Sequence, residues 1–202
     1  FRIKGLAVIA AIIFLVDFIY VFWAIFMPIW LQQHNVSLEA IGLILSANLL
    51  VGALLQIPLG KVIDKWPVRS ILIPGFLLFW LGGAFFFVFR NYFAQLLSRV
   101  ALIGVGSDMA YWPAVSMLAK LTPKANHGAA IALIFGLSAA IKGLGSLAGG
   151  FLTQTFGIEV VLTSVSDLAL AAAIILIPIA FLKNKGTQFH KMHHHTAHVP
   201  RH

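Results

Sequence analysis

Cysteine is absent and charge is scarce: the 202 residues include no thiol, 14 basic side chains and only 6 acidic ones. The lack of cysteine excludes a disulfide framework, a thiol nucleophile and a thiolate metal site. Charged residues make up 10% of the chain, against about 25% in an ordinary soluble domain, which excludes a water-soluble fold. No glycine-rich phosphate loop with its lysine is present, so the chain does not itself use ATP. Histidines are missing from the middle of every long apolar run. His34 and His127 stand at or near segment ends, and the other six are His190, His193, His194, His195, His198 and His202. A membrane-embedded protease would need a Ser–His pair or facing aspartates, so no enzyme activity is expected, and no cofactor.

What is abundant is apolar surface. Hydrophobic residues reach 60%, with 17 Phe, 17 Gly and a mean hydropathy of +0.97. A bilayer core of roughly 30 Å takes about 20 helical residues, and six apolar segments reach that length, at about 5–31, 38–59, 70–89, 92–117, 128–152 and 160–182. They are continuous rather than alternating, and twice the length of a barrel strand. Helices are therefore predicted, because in lipid a helix satisfies its own backbone. The first segment is too long, and too plainly followed by others, to be only a signal peptide. The expected fold is an all-α bundle of six transmembrane helices over 1–183, followed by a polar, disordered tail over 184–202. The histidines of that tail have no defined spacing, carboxylate or cysteine beside them, so no specific metal site is expected. The chain opens on Phe1, and a piece of a longer protein is expected.

The net charge of +8 does not imply a nucleic-acid partner. The basic residues alternate with the connections: Arg2 and Lys4, then Lys61, Lys65 and Arg69, then Lys120 and Lys124, then Lys183, Lys185, Lys191 and Arg201, which is 11 of the 14. The intervening connections hold Arg90 alone. By the positive-inside rule both termini face the cytoplasm of a multi-pass protein of the cell membrane.

Five ionisable residues lie well inside the segments: Asp17, Arg99, Asp108, Lys142 and Asp167. Each would cost about 2.5–3.5 kcal/mol facing lipid at a helix centre, so they should face the bundle interior or a water-filled cavity. At about 1.5 Å per residue, Asp17, Arg99, Asp108 and Lys142 fall near the central third. Two readings are open. The acids bind a proton or a cationic solute, or a fixed ion pair such as Asp17 with Lys142 holds helices together. Tyr20, Trp23, Asn48, Gln56, Tyr111 and Trp112 are further cavity candidates. Tyr20 and Trp23 follow Asp17 closely enough to share a side of the first helix, and packing is the alternative for them. In the fifth segment Gly136, Gly145, Gly149 and Gly150 suit close helix approach.

The connection between the second and third segments, PLGKVIDKWPVRSIL, resembles the loop signature of the major facilitator superfamily. The resemblance implies a cytoplasmic gate latch in which Gly60 permits close approach, Asp64 pairs with a neighbouring helix, and Lys65 and Arg69 are basic partners. Pro67 replaces the second glycine of the pattern, and Val68 a basic residue. RVALIGVGSDMAYWPA resembles the fourth span of a family half, although Arg99 stands one residue further from Gly104 than the pattern has it. TPKANHGAAIAL resembles the connection into the fifth span, with His127 where arginine is commoner. GLGSLAGGFL resembles the fifth-span signature of antiporters, with Ser146 in place of proline. The resemblance covers residues 1–183 and implies one six-helix half built of three-plus-three inverted repeats, the C-terminal half being favoured. In that family the first and fourth helices line the cavity and the second and fifth meet the other half. Asp17, Tyr20, Trp23, Arg99, Asp108, Tyr111 and Lys142 become the proton and substrate path, with Lys142 near the half-to-half interface and Asp167 unassigned. The function implied is secondary transport by alternating access, as proton-coupled export of amphipathic or drug-like compounds by antiport. Uptake of a sugar or organic anion, and a non-transporting membrane scaffold, are the alternatives. The expected partners are the bilayer, a small solute, protons, and a second half or a second copy of the chain.

Overall fold

A computed structural model describes the backbone of residues 2–195 and the side chains of 5–177 apart from position 124. All of its regular structure among the described residues is helical: α1 (Arg2–Gln33), α2 (Leu38–Lys65), α3 (Arg69–Val88), α4 (Tyr92–Leu97), a π-helical segment (Ser98–Gly104), α5 (Val105–Leu121), a short 3-10 turn (Lys124–Asn126), α6 (His127–Phe156) and α7 (Ile158–His195). Five of these are individually long and apolar enough to cross a membrane. The sixth crossing is the continuous run 92–121, which the π segment divides. All six apolar segments are therefore helical. Several helices outrun the segment that nucleates them, because hydropathy marks the lipid-matched part of a helix and not its hydrogen-bonded ends. α2 continues to Lys65, and the backbone of α7 continues past 182 to His195. The expected tail thus begins within a helix, while residues 196–202 and the histidine side chains of the tail lie outside the described set.

Local chemistry sets the ends. Ser37 caps α2, its Oγ accepting from the Ala40 amide at 3.2 Å, and Asn91 caps α4 by accepting from the Ala94 amide at 2.9 Å, as short oxygen-bearing side chains do at helix starts. Two stops precede prolines. Trp66, before Pro67, and Thr122, before Pro123, are both extended, with ψ of 148° and 136°, because a following proline ring excludes the helical conformation. Gly157, at φ 86°, turns α6 directly into α7 in a conformation that disfavours any side chain. Beside it, Glu159 and Arg90 form a 2.7 Å ion pair across two connections. Both are exposed, so the pair contributes little.

α1 is the central post. It packs on α5, α6 and α7 and buries Ile13, Phe22, Trp23, Met27 and Leu31 almost completely. α3 lies between α5 and α7. Its contact with α5 is backbone on backbone: a Cβ at Gly75 would stand 2.8 Å from the Ala110 nitrogen, and one at Gly106 would stand 2.6 Å from the Phe79 nitrogen. Neither position tolerates a side chain without movement. α2 and α6 are the least covered helices. They leave Leu50, Leu54 and Ile57 on α2, and Leu144, Leu147 and Phe151 on α6, exposed.

Candidate substrate and proton site

Asp17 sits at mid-length of α1 and is buried. Its Oδ1 meets Lys142 Nζ of α6 at 2.6 Å, and Asp17 Oδ2 has no hydrogen-bond partner. The lysine side chain is 41% exposed against 5% for the aspartate. The pair therefore has a sealed acidic end and an accessible basic end. Beside it lies a cavity of about 210 Å³ lined by Val16, Asp17 and Tyr20 of α1, Ser107, Asp108, Tyr111 and Trp112 of α5, and Lys142. Helical spacing explains the set. Asp17 and Tyr20, and likewise Asp108 and Tyr111, are three apart and share a face.

Asp108 closes the α2 side of this cavity. A Cβ at Gly52 would stand 3.1 Å from its Oδ2, so the carboxylate occupies space that α2 leaves open by carrying glycine there. Sequence reasoning missed Gly52. Its only signal is a residue without a side chain near mid-helix, at the depth of the acids.

Arg99 is buried, but it lies behind the cavity wall and does not line it. Its Nη1 donates to Asn48 Oδ1 at 2.9 Å and its guanidinium lies 5.1 Å from the centre of the Tyr20 ring, a cation–π distance. Its Nε has no partner. The π segment accounts for the extra residue between Arg99 and Gly104. A π turn bonds i to i+5 rather than i to i+4, so residues five apart share a face as residues four apart do in an α-helix. Both residues do face one group: a Cβ at Gly104 would collide with the same Asn48 Oδ1 that Arg99 bonds.

The expectations for Trp23, Gly136 and Gly150 need correction. Trp23 is fully buried away from the cavity, its Nε1 donating to Ser166 Oγ of α7 at 3.1 Å and its ring edge-on to Phe86 at 5.2 Å. Six residues are about 600° of helix, which leaves Trp23 about 120° from Asp17. Lys142, expected near the edge that meets the other half, is turned to Asp17 at the cavity. Gly145 and Gly149 do admit α1, with Val21 and Phe22 each 3.0 Å from the Cβ positions. No described atom comes within 4 Å of a Cβ at Gly136, Gly150 or Gly60, so none of these three permits close approach within this chain. In the loop signature, Asp64 Oδ1 stands 4.0 Å from Lys120 Nζ of α5, both exposed. Asp64 and Gly60 border a cavity of about 280 Å³ that extends between α2 and α5 to Trp112. Lys65 and Arg69 flank the turn into α3. Asp167, unassigned in the sequence, accepts from Trp80 Nε1 of α3 at 3.1 Å.

Six apolar helices around a polar cavity, with an ion pair and a buried arginine at mid-depth, make a multi-pass membrane protein. The chain belongs to the Major Facilitator Superfamily, whose family model matches residues 6–194. It is 24% identical over 73% of its length to the MFS-type transporter YttB of Bacillus subtilis (strain 168), and 26% identical over 66% of its length to the MFS-type transporter MJ1560 of Methanocaldococcus jannaschii. The matched regions cover 38% and 34% of those proteins, so the match spans little more than a third of their length. Membership in a family of transporters sets the chain apart from enzymes.

Proposed function

We propose that this chain is one six-helix half of a secondary transporter that exports amphipathic, drug-like solutes in exchange for protons. The observation that carries the reading is the Asp17–Lys142 pair at the cavity wall, 2.6 Å apart with one carboxylate oxygen unpartnered. A buried charge that loses its partner is costly, and here the buried member is Asp17, whose free oxygen is sealed while its partner Lys142 is open to the cavity. Protonating Asp17 frees Lys142 towards the open side, where a solute can meet it. Asp108 supplies a second carboxylate to the same cavity. Proton and solute binding are then alternatives at one place, as exchange requires.

In this reading the two termini are cytoplasmic, and the helices form two inverted three-helix repeats. The exposed apolar faces of α2 and α6 meet a second half, the chain itself being the C-terminal one, or a second copy. Gly60, Asp64, Lys65 and Arg69 latch the cytoplasmic side against that partner, where the empty space beside Gly60 is filled. Uptake of an organic anion would use the accessible end of Lys142, but Asp17 already neutralises it.

The test is proton release on adding candidate solutes to the purified full-length transporter, comparing wild type with Asp17→Asn and Asp108→Asn. Solute-dependent release that disappears in one variant supports the reading. Solute binding with no proton change from about pH 5 to pH 9, a window that brackets ordinary and raised carboxylate pKa values, rejects it.

A further inference from the structure

A third and larger cavity, about 520 Å³, opens between α2, α3 and α5. That volume lies in the roughly 300–1,000 Å³ range of small-molecule sites. Its walls are apolar, formed by Leu55, Pro58 and Trp66 of α2, Pro74 of α3 and Met109 of α5. Asp108 is the one charged side chain that lines it. Asp108 also lines the central cavity, and its carboxylate is pressed to the α2 backbone at Gly52. It therefore stands in the seam that separates the two spaces.

Backbone carbonyls add to the negative side of the groove. Proline has no N–H, so Pro58 and Pro74 leave the carbonyls of Leu54 and Ser70 without their usual donors four residues on, and Ser70 lines the groove. No lysine, arginine or histidine lines it. A carboxylate beside apolar walls is costly until donors or cations reach it; Trp112 already donates to Asp108, and one donor leaves the other carboxylate lone pairs free. Trp66, 60% exposed at the rim, adds a ring face that attracts positive charge. An anion finds no cation to pair with here, and a sugar finds few donors, the Ser70 hydroxyl and the Trp66 indole N–H.

We infer that this groove is a binding site for an amphipathic organic cation, whose apolar body lies along Leu55, Pro58 and Met109 and whose positive group sits against Asp108 at the seam with the central cavity. The inference rests on the transport reading and deepens it by naming the charge and character of the solute and the side from which it reaches Asp108.

Rhodamine 6G, a fluorescent amphipathic cation, is the probe. Its fluorescence polarisation is titrated with the full-length protein in detergent, as wild type, Asp108→Asn and Met109→Trp. The tryptophan fills the groove from α5 without lining the central cavity. Both variants are expected to weaken binding at least tenfold. In a second arm, Val62→Cys, at the groove wall, is labelled with a membrane-permeant maleimide, and saturating rhodamine 6G is expected to slow labelling at least fivefold. Unchanged affinity in Met109→Trp overturns the groove, as does labelling at Val62→Cys that is indifferent to the dye. A thiol there that is closed to reagent even without dye shows another segment or a lipid in occupation, and also overturns it. Proton-coupled transport that persists while the groove variants bind dye normally rejects this site alone. Dye bound in the groove with no proton exchange in any variant rejects the transport reading alone.

Discussion

Removing Ala101 should leave the fourth span intact, whereas removing a residue from a regular helix of this bundle should not. A deletion inside an α-helix rotates everything downstream by about 100° and shifts it by about 1.5 Å. If that happened to α5, Ser107 would take the place of Gly106. Its Cβ would then stand 2.6 Å from the Phe79 nitrogen and 2.7 Å from the Gly75 oxygen, a collision with the α3 backbone costing about 1–3 kcal/mol by overpacking alone. Asp108 would at the same time turn towards the buried position of Ser107, at about 2.5–3.5 kcal/mol if it met no partner. The π segment offers another outcome. It already holds one residue more per turn than an α-helix, so a deletion within it can be absorbed by converting the turn to α geometry, with Arg99 and Gly104 four residues apart on one face. The residual loss is then one half-buried methyl, about 1 kcal/mol. Thermal unfolding of the full-length protein in detergent, followed by tryptophan fluorescence, should show the Ala101 deletion within about 4 °C of wild type. Deletion of Leu77, between Gly75 and Gly82 of α3, should give no cooperative transition or one lowered by more than about 10 °C, as several such losses together imply. Equal damage by both deletions would refute the account of the π segment.

Gly106→Ala should destabilise by about 1–3 kcal/mol through backbone overlap with α3, while Gly150→Ala should be neutral or stabilising by up to about 1 kcal/mol from helix propensity. Chemical or thermal unfolding of the two side by side checks the contrast. Lys142→Met strands the Asp17 carboxylate and should cost about 1–3 kcal/mol, less than for a fully buried pair because the lysine is partly exposed. Adding Asp17→Asn should return most of it, and a double-mutant cycle reads the difference. Trp23→Phe removes the donor to Ser166 and should lower stability by about 1 kcal/mol, measured by the same unfolding assay.

Much of the architecture was legible because lipid imposes a single demand, that backbone groups be satisfied internally, and long apolar runs announce the answer. The ion pair was legible as a possibility, since Asp17 and Lys142 were placed at similar depth and each needs an opposite charge. Rotation about the helix axis was harder. Trp23 shares a helix and an aromatic character with Tyr20, yet its indole N–H is drawn to Ser166, a partner that no local pattern reveals. Glycines were ambiguous for a related reason. Gly145 and Gly150 look alike in sequence, but one faces α1 and the other open space, and only packing tells them apart. The π segment left a trace as one residue too many after Arg99, a signal visible only against the family pattern.

The hydrogen bond from Trp23 to Ser166 joins residues 143 positions apart, and that separation is also a delay. At about 5–20 residues per second, roughly 7–30 s of synthesis pass after Trp23 is made before its acceptor exists. Throughout that interval α1 carries an indole donor and the Asp17 carboxylate without the partners that later hold them. α1 is thus completed by helices made well after it, and until then its polar groups depend on water, headgroups or the insertion machinery for company. A substitution that removes Ser166 or Lys142 would make that wait permanent.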